Sequence, residues 1–119
     1  MAWVENEYGH VLMVRQANGN RVWTLPGGKI RSGEDLAAGL ERELREEIGI
    51  SLQNFRLAAI YDRLAKQNLA ILFTVTLQRG ELKAKDPAEI AEIAFKARIP
   101  SNASQSARFF WKVQRSGLE

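Results

Sequence analysis

Three carboxylates, Glu43, Glu46 and Glu47, stand at i, i+3 and i+4. On a helix that spacing projects all three from one face within about one turn. They repel one another there. Arg42 and Arg45 offset part of the repulsion, and Arg42 can reach Glu46 at i+4. A divalent cation would offset far more, because hard cations take carboxylate oxygen. The chain has no cysteine and one histidine, His10, so any metal must be held by oxygen. That favours Mg²⁺ or Mn²⁺ over zinc or copper. Just upstream, Pro26-Gly27-Gly28-Lys29 offers two residues without Cβ, where backbone can approach a ligand closely, and a cation beside them. A nearby helix N-terminus also favours anions. The combination points to metal-assisted phosphate chemistry. The competing interpretation is a glutamate-rich structural helix.

The elements that must position these groups are legible in outline. Residues 33–48 are expected to be helical, with Ser32 as N-cap and Asp35 in the capping-box position. Leu36, Leu40 and Leu44 give the buried stripe and Gly49 the C-terminal stop. Residues 10–15 are expected as a strand, with Trp3-Val4-Glu5 as a short hairpin partner before the Tyr8-Gly9 turn. Asn18-Gly19-Asn20 is a turn leading to the strand Val22–Thr24. Phe55 to Asp62, Leu69 to Leu77 and residues 90–99 are further strands. In the second, Leu69, Ile71, Phe73, Val75 and Leu77 alternate, which predicts one buried face. After Pro100, residues 103–114 form a closing helix that buries Phe110. The expected class is α/β (α+β) with a mixed sheet.

Composition sets the frame. A chain of 119 residues argues for one domain, residues 1–119. Net charge is +3, yet residues 33–50 hold six acids and two bases, a net of −4. An acidic segment in a basic protein suits a cation site that receives an anionic ligand. The absence of cysteine makes a cytoplasmic setting the default. No signal peptide or membrane span is expected.

The segment Gly28, Glu34, Arg42, Glu43, Leu44, Glu46, Glu47, Gly49, Ile50 resembles the Nudix family, whose signature is G-x₅-E-x₇-R-E-U-x-E-E-x-G-U, with U a bulky aliphatic. Every fixed position matches, over motif residues 28–50. The resemblance implies a Nudix fold, a mixed β-sheet sandwiched between helices. It implies metal-dependent hydrolysis of a pyrophosphate bond in a nucleoside diphosphate derivative. By position, Glu43, Glu46 and Glu47 would be metal ligands, with the Gly27 carbonyl beside them. Gly28, Glu34, Arg42 and Gly49 would support the motif structurally. The general base would be Glu43, or else Glu89 or Glu92 from the later loop.

The stretch Trp23 to Lys29 looks most like MutT-type nucleoside triphosphate pyrophosphohydrolases. That implies Arg15 and Lys29 on the substrate phosphates and Asn102 on the base. The plainer alternatives are an exposed strand-end arginine and a helix N-cap at Asn102. Trp3, Trp23, Trp111, Tyr61 and Phe109 are expected to pack and not to stack on a base. A nucleotide is the expected partner. Nucleic acid is not expected, although the basic balance keeps a 5′-triphosphorylated RNA in view. A nucleotide-sensing module without turnover is the remaining alternative. The short first strand leaves a sheet edge that a homodimer could cover, so monomer and homodimer both stay open.

Overall fold

The computed structural model describes residues 1–77 and 82–116. Its strands are β1 (Ala2–Trp3), β2 (Val11–Gln16), β3 (Trp23–Thr24), β4 (Leu52–Arg63), β5 (Asn68–Leu77) and β6 (Ile90–Lys96). Its helices are α1 (Leu36–Ile48) and α2 (Gln105–Arg115). The strands form two three-stranded sheets, ordered β1-β5-β4 and β3-β2-β6. The first is mixed, since β1 runs parallel to β5 and β4 antiparallel to it. The second is antiparallel throughout.

Strand β2 explains why two helices are needed. Its side chains alternate, and both faces are apolar. Leu12 and Val14 pack with Leu40, Leu44 and Ile48 of α1. Val11 and Met13 pack with Ala107, Phe110 and Trp111 of α2. All four β2 residues are fully buried, as expected for a strand covered on both sides. The α2 side is rich in aromatic contacts. Trp3 meets Trp111 edge to face at 5.4 Å, and Tyr61 stacks on Phe109 at 4.2 Å. Phe110 is buried as expected.

Several expectations need correction. Trp3 is not in a hairpin with β2. Ala2 and Trp3 pair with Phe73 and Thr74 of β5, and only Val4 to Asn6 bond back to Leu12 and His10. Helix α1 begins three residues late, capped by Asp35 and not Ser32, with Asp35 Oδ1 accepting from the Ala38 N–H at 2.8 Å. Gly33, at φ +84°, turns the chain the wrong way for a helix. The buried stripe accordingly shifts one turn onward to Leu40, Leu44 and Ile48, leaving Leu36 43% exposed. Gly49 ends the helix in the left-handed conformation, as expected. In β5 the alternation describes only part of the burial. Phe73 and Val75 are buried on the α1 side, Leu72 is buried on the α2 side, and Leu69 is 58% exposed at the strand start. Strand β6 stops at Lys96, short of residue 99, and α2 starts at Gln105 behind a Ser104 cap.

Candidate active site

The loop before α1 is fixed to the helix by one arginine. Arg42 Nε and Nη2 donate to the two carboxylate oxygens of Glu34, at 2.6 and 2.9 Å. Its Nη2 also donates to the Lys29 carbonyl at 3.0 Å. Its Nη1 donates to Glu43 Oε1 at 3.0 Å and Glu46 Oε1 at 2.9 Å, the i+4 pair the spacing suggested. Such two-pronged arginine–carboxylate bonds fix orientation as well as attraction. The Arg31 backbone N–H adds a bond to Glu34 at 2.8 Å. Arg42 and then the Arg31 N–H hold the Glu34 carboxyl down at about 2. Glu34 in turn pushes the Arg42 guanidinium above its ordinary value.

The glycine turn meets the helix face directly. A Cβ on Gly28 would stand 2.5 Å from Glu43 Oε2, so no other residue fits without moving that carboxylate. Gly27, at φ +122°, donates its N–H to Glu47 Oε1 at 2.7 Å. Burial pushes the Glu47 carboxyl up to about 7, against the Gly27 bond, and the charges of Glu43 and Glu89 push the same way. Glu47 and Glu89 line one cavity of about 360 Å³ with Gln16, Asn18 and Ile90. The loop carrying Glu89 is docked there by Ala17 N–H to Glu89 carbonyl at 2.8 Å and Asn18 Nδ2 to Ala88 carbonyl at 2.6 Å.

The predicted residues therefore divide into four groups. Glu43 and Glu46 share Arg42, whereas Glu47 faces Gly27 and Glu89. Among the described residues no three acidic or histidine side chains converge on one point. The donors still suit a hard divalent cation. They are oxygens, Gly28 leaves a cradle that a Cβ would fill, and Glu47 is buried near the charges of Glu43 and Glu89, which the Gly27 N–H and the N-terminal amine offset only in part.

Arg15, Glu92 and Asn102 lie elsewhere. Arg15 sits opposite Glu92 in the β2–β6 register and bonds it at 2.9 Å. By the alternation of β2, Arg15 projects with Val11 and Met13 toward the α2 side, away from α1. It also lies opposite Trp23 in the β2–β3 register. Asn102 flanks Trp23 as well, its carbonyl accepting the Trp23 N–H at 3.1 Å. It is not the helix cap, which is Ser104. Lys96 Nζ lies 4.1 Å from the center of the Trp23 ring.

Lys29 lines a cavity of about 560 Å³ together with Gly27 and Gly28. Arg63 lines it too. Sequence reading missed Arg63, since a strand-end arginine carries no signal. Its Nε is buried and has no hydrogen-bond partner among the described residues. An unpaired buried donor costs about 1–3 kcal/mol, more when charged.

Comparison with known proteins agrees with this architecture. The chain is 32% identical over 65 residues to an 8-oxo-dGTP diphosphatase of Buchnera aphidicola subsp. Schizaphis graminum, covering 55% of this chain and 50% of that protein. It is 30% identical over 99 residues to an ADP-ribose pyrophosphatase of Methanocaldococcus jannaschii, covering 78% and 59%. The aligned stretches thus span about half the length of the curated relatives. A MutT NUDIX hydrolase of Burkholderia pseudomallei has the same fold, with TM-score 0.78 at 22% identity over 92% of this chain and 95% of that one. The NUDIX domain profile matches residues 1–108, and the chain belongs to the NUDIX family.

Proposed function

We propose that this chain hydrolyses a pyrophosphate bond in a nucleoside diphosphate derivative, with a (d)NTP giving NMP and pyrophosphate as the foremost case. The observation that carries this is the Gly27-Gly28 turn set against Glu47 and Glu43. It places oxygen donors beside backbone that can approach a phosphate closely. Glu43, Glu46, Glu47 and the Gly27 carbonyl would hold Mg²⁺ or Mn²⁺. When bound, such a cation neutralises the diphosphate and makes water a stronger nucleophile.

The chain's own residues do the rest. Lys29 draws the phosphates to the turn. Arg42 and Glu34 keep the turn rigid on α1. Water attacks phosphorus, the bridging P–O bond breaks, and a carboxylate accepts the proton. Glu89 is favoured for that role over Glu92, because it shares a cavity with Glu47 whereas Glu92 is paired with Arg15. Glu43 remains the alternative. Arg15 and Asn102, both beside Trp23, would contact the nucleotide on the other face of the sheet. The named activities of the relatives, on 8-oxo-dGTP and on ADP-ribose, both break a pyrophosphate linkage.

One observation favours a second reading, a nucleotide-sensing module without turnover. Arg42 already engages Glu43 and Glu46. A panel of dNTPs, NTPs, ADP-ribose and 5′-triphosphorylated RNA, with Mg²⁺ or Mn²⁺ and with EDTA, separates the two. Metal-dependent release of NMP is expected. Binding without turnover on every compound establishes the sensor.

A further inference from the structure

The cavity beyond the glycine turn has a composition that the site described above does not use. Its walls include Ile30, Leu36, Leu69 and Phe73, and its charged members are Lys29 and Arg63. Among the described residues no acidic side chain lines it. Among the described residues neither cationic side chain has an ion pair there: Arg42 takes only the backbone carbonyl of Lys29, and Arg63 Nε is buried without a partner. Most other arginines near α1 are tied to glutamate, Arg42 to three of them and Arg45 to Glu41. A buried guanidinium nitrogen without an acceptor, beside a second free cation, wants an anion.

The cavity shares Gly27 and Gly28 with the turn that carries Glu47 and Glu43. A phosphate chain lying over that turn therefore has one end at the helix carboxylates and the other in the cavity. We propose that Arg63, with Lys29, binds the terminal phosphate of the substrate and sets a preference for nucleoside triphosphates over diphosphates. The apolar walls close around that phosphate and keep water from competing for the guanidinium. Arg63 is thus a specificity-determining residue, reached from the end of β4. This deepens the nucleotide reading and rests on it. The same chemistry would retain free pyrophosphate, the product, so the two sources of the anion are tested separately.

The substrate arm compares dGTP with dGDP through kcat/KM. Arg63→Met is expected to raise KM for dGTP about tenfold and to lower the dGTP:dGDP preference by a similar factor. Arg63→Lys is expected to recover part of it, since charge survives and the planar fork does not. A residue that only supports the fold slows both substrates alike. An unchanged ratio in Arg63→Met therefore overturns the proposal. The product arm titrates inorganic pyrophosphate into metal-free protein, follows the Arg63 Nε–Hε NMR signal in the wild type, and measures the affinity of the wild type and Arg63→Met by calorimetry. A saturable shift, with about tenfold weaker pyrophosphate binding in Arg63→Met, supports the pocket. Shifts confined to Trp23 and Asn102, or none at all, overturn it. If the wild type turns over neither nucleotide, the hydrolase reading fails, and the pyrophosphate titration still decides whether the pocket takes a phosphate.

Discussion

The α1 face and the far end of the β4–β5 hairpin treat charge in opposite ways. On α1, Arg42 bonds to Glu34, Glu43 and Glu46 and to the Lys29 carbonyl, and is only 16% exposed. At the hairpin end, Arg63 Nε has no partner among the described residues, and Leu64 and Leu69, with Leu57 and Ile60 further along β4, are each more than half exposed. A closed network fixes geometry, because each member orients the others. An open arrangement fixes little and leaves its groups available to a ligand. The contrast separates a rigid, closed center from an open margin around it.

The largest effect should come from removing a carboxylate at the rigid center. Glu47→Gln is expected to lower kcat by at least about 10²-fold, a few kcal/mol of transition-state stabilisation. Wild-type turnover in that variant, measured with saturating Mg²⁺, would remove Glu47 from the reaction.

The next is a pH effect on stability. Glu47 has a folded value of about 7, above its ordinary 4.5. Its contribution is fully present below pH 4.5 and is lost as pH rises through 7, on the order of 3 kcal/mol in total. Glu34 has the opposite sign. Held at about 2, it stabilises above pH 4.5 and loses that as pH falls toward 2. Melting the metal-free protein should therefore show Tm falling from about pH 5 to pH 6, before the N-terminal amine, lowered to about 6 by burial, opposes the trend as pH rises toward 8, and Glu47→Gln should flatten the fall. An equal slope in both proteins would mean that another group is responsible.

Gly28→Ala comes third. Its Cβ would stand 2.5 Å from Glu43 Oε2, the end of a side chain that can move, so the cost is that of disturbing the Glu43–Arg42 bond, about 1 kcal/mol. Urea unfolding should report the loss, with turnover reduced alongside. An unperturbed Gly28→Ala would show that the rigid center is looser than drawn.

The smallest effect belongs to the margin. Leu57→Lys and Leu64→Lys, at 56% and 79% exposure, should change stability by less than about 0.5 kcal/mol. A cooperative loss of structure in either would reveal a contact that covers them, and gel filtration of both variants beside the parent would show whether that contact is a second copy.

Much of the rigid center was legible because local sequence dictates it. The spacing of Glu43, Glu46 and Glu47 needs only helical periodicity, and Gly49 needs only the left-handed C-cap. The helix start was misplaced because Ser32 and Asp35 are both good caps. The choice between them is made by Gly33 and by the Glu34–Arg42 bond, which joins residues eight apart. The strands were found by alternation, but their grouping into two sheets was not, since pairing such as Ala2 with Phe73 is nonlocal. Arg63 was invisible for a related reason. Being unpaired is a property of the surroundings, and no spacing encodes it.

The alternation of β2 through Arg15 and Gln16 has a consequence for how such a protein diversifies. Adjacent residues there serve opposite sides of the sheet: Arg15 pairs with Glu92 beside Trp23, and Gln16 lines the cavity of Glu47 and Glu89. Two neighbouring codons thus answer to separate selective demands. A change at Arg15 alters the pairing with Glu92 and a change at Gln16 alters the cavity wall beside Glu47, so the two surroundings can vary independently.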